Sequence, residues 1–106
     1  MEITFDTKEL RDLCIDEKAA AQKLSPATAE VLKRRLSDMH AADSIGEVLA
    51  GNPRAGIHDG VECYVIELPQ SFRLTVVPAH LEPRMNVDGS ADWGRIRRVK
   101  VVSLQT

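Results

Sequence analysis

Apolar positions in the first part of the chain recur at helical spacing. Between Leu10 and Leu24 they fall three or four residues apart, and only Glu17 interrupts the face that they form. Asp6 or Thr7 precedes this stretch and is suited to capping a helix N-terminus. The pattern therefore predicts one continuous amphipathic helix of about four turns.

A second helix is predicted to start at Ser25 and Pro26, because serine is a favoured N-cap and proline a favoured first helical residue. Its apolar stripe comprises Ala29, Leu32, Leu36 and Met39. Since the link to the preceding helix is very short, the two should form an antiparallel hairpin. Ser44 followed by Glu47 is a capping box and predicts a short third helix.

The second half of the chain shows strand-like alternation. Residues 51–60 are rich in glycine and proline and are predicted as loop. Residues 61–68 and residues 72–77 alternate apolar and polar side chains, which is typical of half-buried strands. The short turn at residues 69–71 makes them an antiparallel hairpin.

The remaining segments complete the predicted architecture. Residues 78–94 are predicted as a long polar loop with a turn at Asp88 and Gly89, residues 97–104 as the last strand, and residues 2–5 as a short strand. We therefore predict one α+β domain spanning 1–106, with an N-terminal helical hairpin packed on a small twisted antiparallel sheet. The residues expected to be buried are Leu10, Leu13, Leu32, Leu36, Phe72, Leu74 and Val76.

Charge and composition narrow the functional classes. The chain has 14 Lys or Arg against 16 Asp or Glu residues, a net charge of −2, whereas dedicated nucleic-acid binders are usually basic. Apolar runs are too short to span a bilayer and the N-terminus lacks a signal-peptide pattern, so we predict a cytoplasmic protein without membrane association. Cys14 and Cys63 are expected to be free thiols.

Candidate site chemistry centres on arginine. Arg73 lies in the middle of the best predicted strand, either as an outward-facing surface residue or as a rigidly held phosphate ligand. His58 lies in a glycine-rich loop and is the candidate for proton transfer, because histidine titrates near neutral pH. Further basic residues that could converge on the same sheet face are Arg54, Arg97, Arg98 and Lys100. No metal or cofactor is predicted, since zinc-type ligand spacing and a glycine-rich phosphate loop are both lacking.

Several segments, taken in order, carry a family resemblance. They are residues 7–14, residues 29–39 with Leu32, Arg34, Arg35 and Leu36, residues 64–68 with residues 71–76, and Asp92-Trp93 ahead of a Val-rich strand. In this order they resemble the HigB-type plasmid-maintenance toxins of the RelE/ParE superfamily. The resemblance implies a RelE/ParE-like fold and a toxin that a helix-turn-helix antitoxin neutralises.

The resemblance also implies an activity. HigB-like toxins cleave mRNA on the ribosome without a metal, with basic side chains stabilising the charge that develops on the phosphate. Arg73 matches the family's strand arginine and Arg54 its loop arginine. This sequence departs from the family at residues 56–62, which lack a Lys or Arg, and after Gln105, where an Asp-Tyr-His-like tail is usual.

These departures keep three functional hypotheses open. The first is a ribosome-dependent mRNA endoribonuclease that inhibits translation, with the antitoxin, ribosome and mRNA as partners and an oligomeric state that the sequence leaves open. The second is a non-enzymatic binding protein of the same fold, either a gyrase inhibitor as in ParE-like relatives or a degenerate toxin that only binds its antitoxin. The third is an unrelated small α+β domain.

Overall fold

A computed structural model describes residues 1–82 and 84–106. Pro83, inside the predicted loop 78–94, lies outside the described residues. The helices and strands, in chain order, are β1 (Glu2–Phe5), α1 (Lys8–Ile15), α2 (Glu17–Lys23), α3 (Pro26–Ala41), β2 (Arg54–His58), β3 (Val61–Glu67), β4 (Arg73–Pro78) and β5 (Arg98–Gln105). This is an α+β chain, and in the described residues no helix has the length and apolar character to cross a bilayer.

The sheet has five strands in the order β1-β5-β4-β3-β2. β2, β3, β4 and β5 pair antiparallel, but β1 pairs parallel to β5, with Ile3 opposite Val99 and Phe5 opposite Val101. The prediction of a purely antiparallel sheet is therefore wrong, and the sheet is mixed. The parallel direction is possible because all the helices lie between β1 and the other strands and provide the long crossover that parallel pairing needs.

The predicted first helix is divided at Asp16 into α1 and α2. The amide of Asp16 donates to the carbonyl of Asp12 at the end of α1, at 2.8 Å. Its carboxylate then accepts from the amides of Lys18 and Ala19 at 3.0 and 3.3 Å, which caps α2. The prediction of one continuous helix is therefore wrong, because the short side chain of Asp16 supplies a new N-cap in the middle of the segment.

The start of α3 confirms its predicted cap. Ser25 Oγ accepts from the amide of Thr28 at 3.1 Å, and Pro26 is the first helical residue. The predictions of a capping box and of a short third helix are wrong, however. Residues Ile45–Glu47 form one 3-10 turn, and the Glu47 carboxylate accepts from the amide of Asp43, not from that of Ser44.

Strand β2 occupies part of the segment predicted as loop, residues 51–60. It pairs with β3 through a tight turn at Asp59 and Gly60, whose φ angles are 49° and 78°. Two successive positive φ angles are typical of a type I′ hairpin turn, whose twist matches that of the paired strands. The loop prediction is wrong because cross-strand pairing, and not local alternation, makes β2 a strand.

The helices pack on one face of this sheet. Among the side chains predicted to be buried, Leu32, Leu36, Leu74 and Val76 are at most 9% exposed, which confirms them as core. Leu10, Leu13 and Phe72 are half-buried and pack against its edge. β3 and β4 form the predicted hairpin, and β5 ends one residue beyond its predicted end.

Candidate functional site

The side chains that alternate with the core residues form the second face of the sheet, which we call the open face. On β4, Arg73 and Thr75 alternate with the buried Leu74 and point away from the helices. A shallow depression of about 250 Å³ lies on this face. The residues that line it include His58, Cys63, Arg73, Thr75, Ser103 and Gln105.

Arg73 is exposed at one end of this depression. Its neighbours in register are Glu67 on β3 and Gln105 on β5. Glu67 is engaged elsewhere: its carboxylate lies 3.2 Å from the Arg54 guanidinium and accepts from the Asn52 amide group at 3.3 Å. Within residues 1–82 and 84–106 the Arg73 guanidinium therefore has no ion-pair partner, and all its donors are available to an anion.

Arg54 borders the same part of the open face. With Arg73 it lines a second depression of about 480 Å³, which also includes Glu67 and Ser71. The two arginines therefore flank one carboxylate that neutralises only Arg54. An anion placed here would meet one free guanidinium and one that is already paired.

His58 lines the first depression at its other end. Its Nε2 lies 3.5 Å from the Asp59 carboxylate, and its side chain is 32% exposed. His58 is opposite Val61 on β3, whereas Arg73 is opposite Glu67, six positions further along that strand. At about 3.3 Å per residue this offset is about 20 Å. This is the offset of the two backbones, so the side chains lie at opposite ends of the depression and would meet different parts of an extended ligand.

Arg98 and Lys100 share the open face but lie apart from Arg73. Lys100 is opposite Val77, four positions from Arg73 along β4, an offset of about 13 Å. Both cations are paired with acidic residues at β1: Arg98 with Glu2 at 3.0 Å and Lys100 with Asp6 at 3.5 Å. The structure therefore does not bring this pair together with Arg73.

Arg97 precedes β5 and is held through its backbone. Its amide donates to Nε2 of His80 at 2.9 Å, so that this nitrogen must be unprotonated. Burial lowers the pKa of His80 from its ordinary 6.5, and the nearby cations of Arg84, Arg98 and Arg97 lower it further. The neutral imidazole is thus the form that fits this position.

We expect acid to break the contact between His80 and Arg97. Because the folded pKa of His80 is lowered, the contact contributes fully to stability above the unfolded pKa of about 6.5 and is lost as pH falls through the folded value. A nuclear magnetic resonance titration should show His80 titrating below pH 6.5, with the Arg97 amide shifting in parallel. The His80→Asn variant should lose that amide transition and His58→Asn should keep it. Titration of His80 at or above 6.5 would contradict this assignment.

The cysteines Cys14 and Cys63 are free thiols, as predicted, and burial makes both of them poor nucleophiles. Burial raises the pKa of Cys14 to about 11, and burial also raises the pKa of Cys63, which lies in the first depression. Thiolate is the reactive form of cysteine, so neither is suited to be a nucleophile at neutral pH. In the part of the chain that the structure describes, no group of three His, Cys, Asp or Glu side chains is arranged to hold a metal ion.

Comparison with known proteins gives a plain result. No family model, curated protein or solved structure matches this chain. The function must therefore be argued from the geometry of the open face and from the sequence resemblance.

Sequence reasoning identified the arginine but missed its neighbours. Glu67 and Gln105 flank Arg73 on the adjacent strands, and Ser103 lies with Thr75 on the floor of the depression. A signal for Glu67 was available, because the three-residue turn of Pro69–Ser71 fixes the hairpin register and places Glu67 opposite Arg73.

Proposed function

We propose that this chain is the toxin of a type II toxin–antitoxin pair and that it acts as an endoribonuclease on mRNA bound to the ribosome. The observation that carries the proposal is the Arg73 guanidinium, which is held on a central strand beside a depression of the open face and has no ion-pair partner among the described residues. The ordered resemblance to HigB-type toxins supports it, since Arg73 is the residue that matches their strand arginine.

The proposed chemistry needs a phosphate ligand more than any other group. The 2′-hydroxyl attacks the adjacent phosphorus, the bond to the 5′-oxygen breaks, and the products are a 2′,3′-cyclic phosphate and a 5′-hydroxyl. Arg73 binds two phosphate oxygens through its planar fork and stabilises the negative charge that grows on them. In this proposal water accepts the proton of the 2′-hydroxyl and water protonates the 5′-oxygen that leaves, because His58 lies at the other end of the depression from Arg73, and no metal or cofactor takes part.

The open face would bind RNA as an extended strand. Arg54 and Arg73 would contact neighbouring phosphates at one end and His58 would contact the RNA at the other. Arg97, Arg98 and Lys100 would contribute more distant phosphate contacts, for which Arg98 and Lys100 must first leave Glu2 and Asp6. In the proposal a helix-turn-helix antitoxin neutralises the toxin in the cytoplasm.

A second candidate function is binding without cleavage, and one observation favours it. The separation of His58 from Arg73 leaves the phosphate bound at Arg73 without an adjacent histidine, because His40 and His80 lie outside the depression. In this alternative the same face binds a target such as gyrase, or the chain retains only its affinity for the antitoxin.

Cleavage of ribosome-bound mRNA distinguishes the two candidates. We expect the purified chain to cut a defined mRNA on stalled ribosomes and to leave the same mRNA intact without ribosomes, with 2′,3′-cyclic phosphate ends at the cuts. His58→Ala should weaken RNA binding and leave the single-turnover cleavage rate close to that of the wild type, because the imidazole lies at the other end of the depression from Arg73. The exposed His40, outside the depression, provides the matched control His40→Ala, which should cut at the wild-type rate.

The growth phenotype completes the experiment. Growth arrest on expression, relieved by co-expression of a helix-turn-helix protein encoded beside it, is expected from the endoribonuclease and from a gyrase inhibitor, but not from a chain that only binds the antitoxin. Growth arrest without any cut mRNA would reject the endoribonuclease and leave the binding function. Absence of both growth arrest and cleavage would reject the endoribonuclease and the gyrase inhibitor and leave a chain that only binds its antitoxin.

A further inference from the structure

A groove runs along the outer edge of β1, on the opposite side of the sheet from β2. Its volume is about 560 Å³, and β1, the end of α1 and the second half of α3 form its walls. The groove shares no lining residue with the depressions around Arg73. Inferences about it are therefore independent of the proposed function.

The floor of the groove is apolar. Phe5, Leu36 and Ile15 line it, and Ile15 is 60% exposed although it is a large aliphatic side chain. The exposure follows from the break at Asp16, because the chain turns there and α2 does not continue over the last turn of α1. An exposed apolar side chain in a concave surface with an apolar floor is typical of a site for another molecule.

The wall that β1 provides is a free strand edge. β1 is the first strand in the sheet order, and among residues 1–82 and 84–106 it pairs only with β5. The amides of Glu2 and Asp6 donate to carbonyls of Arg97 and Val101 on the β5 side. Because alternate residues of a strand direct their backbone groups to opposite neighbours, the N–H and C=O groups of Ile3 and Phe5 point outward.

The rim of the groove is positively charged. Arg11 and Lys33 line it, and none of the lining residues is acidic. Lys33 is bound to Glu17 at 2.6 Å, whereas Arg11 has no ion-pair partner in the described parts of the chain. This local charge is opposite to the net charge of −2 of the whole chain and complements an acidic ligand.

We propose that the groove binds an extended, acidic segment of a partner protein, which adds a strand to the free edge of β1. Backbone hydrogen bonds to Ile3 and Phe5 would hold the segment. On the face of the segment that points into the groove, an apolar residue would cover Ile15 and an acidic residue would meet Arg11, and the residues on its other face would be uncharged. Strand addition of this kind gains affinity from the main chain and specificity from alternate side chains.

A second copy of this chain is a poorer occupant than such a partner. Antiparallel pairing of two β1 strands centred on Thr4 would place Glu2 directly opposite Asp6 of the second copy, on both sides of the centre. Like charges directly opposite each other on paired strands are destabilising. A segment that carries its acidic residues only on the face towards the groove, and uncharged residues beside Glu2 and Asp6, avoids this repulsion.

The probe for this site is the synthetic peptide Thr-Glu-Thr-Val-Thr-Glu-Thr, in which Glu and Val share one face of the extended chain. The same peptide with Lys in place of Glu is its control. Isothermal titration calorimetry with the full chain should give at least tenfold tighter binding of the Glu peptide. On binding, hydrogen exchange at the amides of Ile3 and Phe5 should slow, whereas exchange at Thr4, which faces β5, should change little. This difference reports strand addition and not general contact.

Variants locate the binding in the groove. Arg11→Glu and Ile15→Ser alter exposed residues, so both variants should fold, and each should weaken the Glu peptide at least tenfold. The control Lys18→Glu makes the same charge change at an exposed position outside the groove and should bind as the wild type does. Equal affinity for the two peptides, no binding at all, or unchanged exchange at Ile3 and Phe5 would overturn the proposal. So would a β1-paired dimer that excludes the peptide in sedimentation experiments.

Discussion

Replacing Arg73 by alanine should lower the rate of ribosome-dependent mRNA cleavage by about 10²-fold or more. That is the usual cost of removing a fixed donor that stabilises charge in a transition state. Stability should change little, because the side chain is exposed and forms no ion pair with any described residue. Single-turnover cleavage rates, compared at equal amounts of folded protein, measure the effect.

Two companion variants define what Arg73 contributes. Arg73→Lys keeps the charge but loses the planar fork, so we expect an intermediate rate. Arg34→Ala removes one exposed arginine from α3, where its contact with Glu30 is loose at 3.9 Å, and should leave the rate unchanged. If Arg73→Ala cuts as fast as the wild type, the phosphate site does not lie on the open face.

Replacing Leu74 by alanine should produce the largest loss of stability among the predictions, about 2–5 kcal/mol in the free energy of unfolding. Leu74 is fully buried on a central strand, opposite Ile66 on β3 and Leu104 on β5. Its removal costs the transfer energy of the side chain and leaves a cavity that the sheet cannot close. Denaturant unfolding followed by circular dichroism measures the change.

Leu81 provides the matched control, since it is 99% exposed. Leu81→Ala makes the same chemical change without a cavity and should shift the free energy of unfolding by less than about 0.5 kcal/mol. A loss below that size for Leu74→Ala would refute the assignment of β4 to the centre of the core.

The strands that could be predicted were those with strong alternation. β3 and β4 have apolar side chains at every second position, because one face of each packs on the core. β5 alternates in the same way as far as Val101, and an irregularity in its pairing with β4 then moves the next core position to Leu104. β2 has Ile57 as its only large apolar residue, and that side chain is 70% exposed. Its strand state comes from pairing with β3, and the available signal was the Asp59-Gly60 dipeptide.

The sequence pattern could not predict two other features, the division between α1 and α2 and the direction of β1. The apolar stripe of the first two helices continues across Asp16, because a break of one residue hardly changes the helical phase of the pattern. The one sign of the break in the sequence was Glu17, a charged residue inside the stripe. Alternation in β1 indicated a strand but carried no information on its direction. That direction depends on which strand edge is free after the helices have packed.

For the candidate site, alternation alone placed Arg73 on the face away from the core. That Arg73 has no partner among the described residues could not be predicted, because this depends on Arg54 taking the Glu67 carboxylate from the unrecognised strand β2. The distance between His58 and Arg73 likewise depends on the registers of two hairpins. A sequence gives the residue types, but strand pairing determines which side chains form ion pairs and how far apart they lie.

The position of β5 between β1 and β4 has a consequence for synthesis. Translation proceeds from the N-terminus at about 5–20 residues per second, so the strand that joins β1 to the other three emerges after every element with which it pairs. Until then β1 has no neighbour, and Leu74 and Val76 lie on an unpaired edge. Ser103 and Gln105 are also missing from the depression beside Arg73. The nascent chain therefore completes its core and its open face in the same late event.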